Sequence, residues 1–424
     1  MRKLSQLHPA LRPALVLVLC LVLHASSWAE SAADFNTRGV DHYNKGSFQE
    51  ALSEFEQAYA LAPTHNIIQR NLCNAHQGLA NELAKAGDFS QAIKQLEAAT
   101  TIDPENDSPL VQMGSYFLRQ NMLKNAIERL EAAISINPKN IEGHELLGEA
   151  YYRDNDIPSA RIQWEWVLDV KPDHPNLKER LAKAIREEGV EADHRPTGSR
   201  HFQLSVPPEL PSPMLRQMLS ILENAYADIG RHFGRVYPAD KVQVIVYTGT
   251  SFADATLAGE HVGALYDGKI RIPVNDSSSG QFLSEPELRQ RLYHEYTHVI
   301  VRQICGDRIP WWLNEGMAET FSHDVEPVEI EILQKAHQED LLFPLSKLEA
   351  EQLNVLGPES LRIAYAQVHA TVHVLWSRFG QARLGRMVTD LAEGAKPESA
   401  LREHYNRTYS SLQKEVIKTL GLTE

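Results

Sequence analysis

The chain has 424 residues, 43% of them hydrophobic and 23% charged, with a formal net charge of −14. That length and apolar content predict two or three globular domains with material for a sizeable core. The acidic balance argues against nucleic acid and against anionic membrane surfaces as partners.

The N-terminus reads as a segment outside the fold. Arg2, Lys3 and Arg12 give a positive start, Ala14 to Leu23 is an apolar run, and Ser27-Trp28-Ala29 has small residues where signal peptidase reads. This is the pattern of a secretory signal peptide over residues 1–29, with cleavage expected near Ala29 and a periplasmic or secreted destination. The apolar run is about half the roughly 20 residues a membrane-spanning helix needs, so no stable membrane anchor is expected. Removal of its three positive charges would take the formal charge from −14 to −17. Cys20 leaves with the segment, and Leu19 before it is unlike a lipid-attachment site. The two remaining cysteines, Cys73 and Cys305, are too few for a disulfide framework and are expected to be buried small hydrophobes.

Residues 32–188 contain a repeat. Ala92, Ala126 and Ala160 recur at spacings of 34, and so do Pro104, Pro138 and Pro172. The copy at 107–140 puts Leu110, Met113, Gly114 and Phe117 on a first helix and Ala126, Leu130 and Ala133 on a second. Residues 141–174 repeat this with Leu147, Gly148, Tyr151, Ala160, Trp164 and Val167. Small residues sit where two antiparallel helices cross closely, and large ones fill the gaps beside them. The first copy, 32–65, is followed by a step of 41. The seven extra residues are about two helical turns, which lengthen a helix without rotating its apolar face. The pattern resembles the tetratricopeptide repeat. It implies an array of about four repeats whose concave face takes a protein partner, closed by a polar-faced helix from Leu177 to Glu188.

Residues 189–200 (GVEADHRPTGSR) are polar, contain Gly and Pro, and read as a linker. Residues 201–424 change character. His201–Val206 and Lys241–Thr248 read as strands, Met214–Phe233 as a helix, and Asp267-Gly268 as the turn of a hairpin within residues 263–274. Helices are expected from Ser284 onward. The predicted class is α+β: an N-terminal all-α solenoid, then a small sheet followed by a helical half.

Ser284 and Glu287 form a capping box with Pro286 in the first turn, opening a helix expected to run to about Cys305. It carries His294-Glu295-Tyr296-Thr297-His298. The histidines are about 40° apart around the helix and about 6 Å apart along it, so both imidazoles can reach one metal ion. Glu295, one residue on, is placed to take a proton from water without being a ligand. His369 and His373 share the i, i+4 spacing but lack the intervening Glu. They are assigned to packing or substrate lining rather than to a second metal.

After a short loop comes Trp311-Trp312-Leu313-Asn314-Glu315-Gly316-Met317-Ala318-Glu319. The motif pair resembles the gluzincin zinc metallopeptidases and their peptidase MA-like domain, over roughly residues 200–424. The resemblance implies one zinc per chain held by His294, His298 and Glu315, with Glu295 as catalytic base and a peptide or protein substrate. It also implies Tyr365 as a group facing the reacting carbonyl, on a helix expected from about Ala364 to Phe379. Glu319, four residues after Glu315, is implied to hold the second ring nitrogen of His294. The strand at Gly263, Ala264, Leu265 and Tyr266 resembles the edge strand that aligns substrate. The rival reading is a non-catalytic, repeat-based binding module with a silent peptidase-like domain.

Overall fold

The structure, a computed structural model, describes residues 30–257, 264–276, 279–306, 308–350 and 356–422. The expected signal peptide and Gly263 lie outside the described residues. The chain divides into two compact units after Gln112.

The first unit holds α1 (Ala32–Asn44), α2 (Phe48–Leu61), α3 (Asn66–Lys85), α4 (Phe89–Ile102) and the start of α5 (Ser108–Arg119). The seven-residue insertion does lengthen a helix: α3 has 20 residues against 13 in α1. Gly39 is where α1 meets α2, since a Cβ there would fall 2.5 Å from the Phe55 ring. Ala51, Ala92 and Cys73 are wholly buried. The Asp88 side chain accepts from the Gln91 amide at 3.0 Å, capping α4.

The second unit continues the repeats with the rest of α5, then α6 (Leu123–Ile136), α7 (Ile141–Arg153), α8 (Ile157–Val170) and α9 (Leu177–Val190). The same close crossing recurs. A Cβ at Gly114 would meet Leu130 at 2.4 Å, and one at Gly148 would meet Trp164 at 2.3 Å. Asn140 and Asp156 cap α7 and α8 through the amides of Gly143 and Ser159. Ala126, Ala160 and Val167 are fully buried.

A five-stranded sheet follows, in the order β1-β2-β3-β5-β4: β1 (Arg195–Gly198), β2 (Phe202–Val206), β3 (Val242–Tyr247), β4 (Leu265–Tyr266) and β5 (Ile270–Pro273). β2, β3 and β5 are parallel, while the outer strands β1 and β4 run antiparallel to their neighbours. α10 (Ser212–His232) and α11 (Ser251–Thr256) make the two crossovers. Gly268, at φ +105°, closes the β4–β5 hairpin, a conformation that favours glycine. β3 is buried on both faces. Val244 and Val246 join the main core, whereas Ile245 and Tyr247 pack with Phe252 and Ala255 of α11.

The helical half comprises α12 (Glu285–Cys305), α13 (Trp311–Ser322), α14 (Pro327–Gln338), a 3-10 turn at Leu345–Leu348, α15 (Pro358–Phe379), α16 (Gln381–Ala392), α17 (Pro397–Tyr405) and α18 (Tyr409–Thr419). No described helix is long and apolar enough to cross a membrane. α15 starts six residues earlier than expected, because Gly357 and Pro358 supply a helix start that the Ala-Tyr-Ala-Gln segment hides.

Two sequence expectations are corrected here. The stretch 189–200 is not an irregular linker: it holds the end of α9 and strand β1, whose Arg195–Gly198 pair with Val206–Gln203. Nor is α9 a polar-faced cap. Its Glu187 is fully buried, and Glu191 follows just past its end. Both face Arg271 of β5, itself fully buried, at 2.8 and 3.1 Å. Arg271 also donates to the hydroxyls of Tyr247 at 2.6 Å and Tyr152 at 3.1 Å. Lys269 donates to Asn155 at 2.9 Å, and Lys183 pairs with Asp267. A buried cation needs this density of partners to offset its desolvation. The alternating charges Asp267, Lys269 and Arg271 therefore mark a face buried against the repeats, not one open to solvent.

Candidate metal centre

The site stands on two crossing helices. α12 begins as its sequence dictates, with the Glu287 carboxylate accepting from the Ser284 amide at 2.8 Å and hydroxyl at 2.6 Å. It then buries Leu288, Leu292, Tyr296 and Ile300 along one face. The opposite turn of the helix carries His294 and His298. α13 buries Trp312, Leu313 and Met317, which fixes the direction of Glu315. Gly316 allows α13 to lie against α15: a Cβ there would sit 2.5 Å from the Val368 carbonyl oxygen and 2.4 Å from Val372 Cγ2.

Three atoms converge. His294 Nε2 and His298 Nε2 are 3.2 Å apart, and Glu315 Oε2 lies 3.6 and 3.7 Å from them. Two imidazoles and a carboxylate around a tetrahedral zinc, with bonds of about 2.0–2.2 Å, stand roughly 3.3 Å from one another. The donor set and its dimensions therefore fit zinc.

The second nitrogen of each ring faces a side-chain oxygen. His294 Nδ1 faces Glu319 Oε1 at 3.5 Å, and His298 Nδ1 faces the Asn314 side-chain oxygen at 3.1 Å. Both oxygens can accept a hydrogen bond from Nδ1–H, the tautomer in which Nε2 carries the lone pair that could meet a metal. Asn314 was not singled out from the sequence. Its only signal was its place directly before Glu315, and its role appears once α13 crosses α12.

The charge balance also suits a cation. Burial disfavours a charged His294, yet Glu319, Glu315 and Glu295 raise its pKa to about 10. Burial pushes the Glu315 carboxyl up, and His298 and His294 outweigh it, holding Glu315 below its usual value. Glu295 is 5% exposed, its pKa raised by burial against the pull of the two histidines. Its Oε2 is buried with no hydrogen-bond partner among the described residues. A carboxylate oxygen held in this state is available as a proton acceptor.

The other expected site residues fall as follows. Tyr365 lies on α15, its ring edge-to-face with Trp311 at 5.4 Å. Leu265 and Tyr266 form β4 at the sheet edge, with Ala264 just before it. His369 is fully buried, with Nδ1 2.8 Å from Glu329 Oε1.

A family model described as Peptidase MA superfamily matches residues 288–420. Models described as TPR repeat and tetratricopeptide repeat match residues 114–155 and 74–106. The chain thus carries tetratricopeptide repeats followed by a Peptidase MA superfamily domain. Among solved structures, the chain is similar to MamA at 19% identity, covering 36% of this chain and 84% of that one, with a TM-score of 0.30. It is similar to pilF of Pseudomonas aeruginosa at 18% identity, covering 38% and 70%, with a TM-score of 0.30. A first TPR of Spaghetti (RPAP3) bound to an HSP90 peptide is 19% identical, covering 27% and 90%, with a TM-score of 0.26. No curated protein matches the chain.

Proposed function

We propose that the chain is an exported zinc peptidase whose metal is held by His294, His298 and Glu315, one zinc at this site. The observation that carries the reading is the triangle of 3.2, 3.6 and 3.7 Å made by their ligand atoms. Zinc, when bound, polarises a carbonyl and brings the pKa of water to about 7. Glu295 Oε2 takes a proton from the attacking water and returns it to the leaving amine. Glu319 and Asn314 hold the two histidines in the required tautomer. Tyr365 supports the developing oxyanion, and an extended substrate adds to the edge strand at Leu265 and Tyr266 through main-chain hydrogen bonds. The match to the Peptidase MA superfamily supports this reading.

The repeats take a protein or peptide partner, as solenoids of this type use their concave face. Export rests on the charge, apolar run and small-residue pattern of residues 1–29. In the test of the ligand set, His298→Ala and Glu315→Ala lose the zinc at this site and the hydrolysis of a generic peptide library together. Full activity in either variant would remove that residue from the metal centre.

A further inference from the structure

One turn beyond Glu319 on α13, just past the end of the helix, stands His323. Glu329 at the start of α14 and His369 in the middle of α15 close around it. None of the three belongs to the ligand set above. Glu319, His323 and His369 each offer one ligand atom, all within 4.8 Å of one another.

The two oxygens of Glu319 face in two directions. Oε1 lies 3.5 Å from His294 Nδ1, and Oε2 lies 3.5 Å from His323 Nδ1. His369 is fully buried, and its ring centroid is 4.6 Å from that of His323. Its Nδ1 is taken by Glu329 Oε1 at 2.8 Å, which leaves Nε2 as the atom it can offer. That Nε2 is buried and has no hydrogen-bond partner among the described residues. A fully buried polar atom left without a partner keeps its desolvation penalty uncompensated, so packing alone gives no reason to hold it there. An imidazole with Nδ1–H fixed by a carboxylate and Nε2 free is how proteins present a histidine to a metal.

His323 is the adaptable member. Its Nδ1 meets Ser322 Oγ at 2.9 Å and Gln290 Nε2 at 3.1 Å, and its Nε2 is 3.8 Å from Glu329 Oε2. All of these neighbours are neutral or anionic. Two carboxylates therefore stand among imidazoles, and among the described residues no lysine or arginine pairs with either.

We infer that Glu319, His323 and His369 form a second divalent-cation site, joined to the first through the Glu319 carboxylate, with Glu329 orienting His369. Two imidazoles and one carboxylate select zinc or a neighbouring transition ion over magnesium or calcium, which prefer all-oxygen cages. A cation on Oε2 pins Glu319 and, through Oε1, the ring of His294. The i, i+4 pair His369 and His373 concealed this, because the partner of His369 is His323 on another element.

The experiment strips the full-length protein of metal, reloads it with zinc alone, and counts bound zinc after dialysis. The parent should hold about two zinc ions per chain and His298→Ala about one, since each tetrahedral site takes a single ion. His323→Ala and His369→Gln should each hold about one, retained at His294, His298 and Glu315. His323→Ala removes a partly exposed ring, so a folded variant remains if the buried His369→Gln fails. A parent with one zinc that His323→Ala keeps overturns the second site and leaves the first standing. A parent with one zinc that His298→Ala keeps and His323→Ala loses overturns the first and leaves the second. A parent with one zinc weakened in both variants overturns the second site, reducing the cluster to a hydrogen-bonded support for His294.

Discussion

Glu319 Oε1 stands 3.5 Å from His294 Nδ1, one helical turn beyond the Glu315 carboxylate that converges with the same ring's Nε2. One histidine is thus gripped at both nitrogens by acids from a single face of α13. Glu319→Ala should weaken zinc binding at His294, His298 and Glu315 by about 10- to 100-fold with the fold intact. Asn314→Ala should act on His298 in the same direction. Competition titration against a zinc chelator at matched pH measures both. Affinities equal to the parent's would make these contacts incidental.

Gly316 sets the approach of α13 to α15. A methyl group there would lie 2.5 Å from a backbone oxygen, which cannot swing away as a side chain can. Gly316→Ala should destabilise the protein by about 1–3 kcal/mol, the usual effect of overpacking. It should also lower zinc affinity by displacing Glu315. Urea unfolding reads the first effect, and an unchanged midpoint would show that the helices part freely.

The second unit should fold as residues 113–424 and fail when cut near Ser199. The shorter fragment loses β1, and it strips Arg271 and Lys269 of Glu187, Glu191, Tyr152 and Asn155. Breaking a buried pair from one side costs about 3–5 kcal/mol. Circular dichroism melts of the two fragments compare them directly. A cooperative melt at the parent temperature from the shorter one would show that the repeats are merely appended.

Asp267 gives this network a pH signature. Burial pushes its carboxyl up, but Arg271 and Lys183 outweigh that and bring its pKa down to about 2 from 3.8. A folded value below the unfolded one stabilises the protein fully above the unfolded value. The contribution is lost as pH falls through 3.8 towards about 2. Asp267→Asn should flatten the fall in stability over that window. An acid limb identical to the parent's would place Asp267 outside the network.

Some of this was legible in the sequence and some was not, for identifiable reasons. The convergence of His294, His298 and Glu315 was legible because two of them share one helix and the third follows in a short motif. Helix spacing places the two histidines, and the resemblance to the gluzincins pointed to Glu315. The repeats were legible because Gly114, Gly148, Ala126 and Ala160 are small where large residues would clash. Asn314, His323 and Glu329 were not, since each acts across two elements whose crossing no spacing records. Strand β1 was missed because Arg-Pro-Thr-Gly has no apolar alternation: all but Thr197 are exposed, and only its pairing with β2 makes it a strand. The linker reading of 189–200 rested on polarity, and polarity does not separate a solvated face from one buried against complementary charges. Glu187 and Arg271 are both wholly buried and 2.8 Å apart.

The central claim is that Glu295 is a base and not a ligand, in a site that His294, His298 and Glu315 assemble without it. Glu295→Gln keeps size and shape and removes the proton acceptor. Zinc content and peptide hydrolysis, measured on the same preparation, test the claim together. The account predicts zinc content equal to the parent's with nearly all hydrolysis lost. Hydrolysis at the parent rate with zinc in place would contradict it.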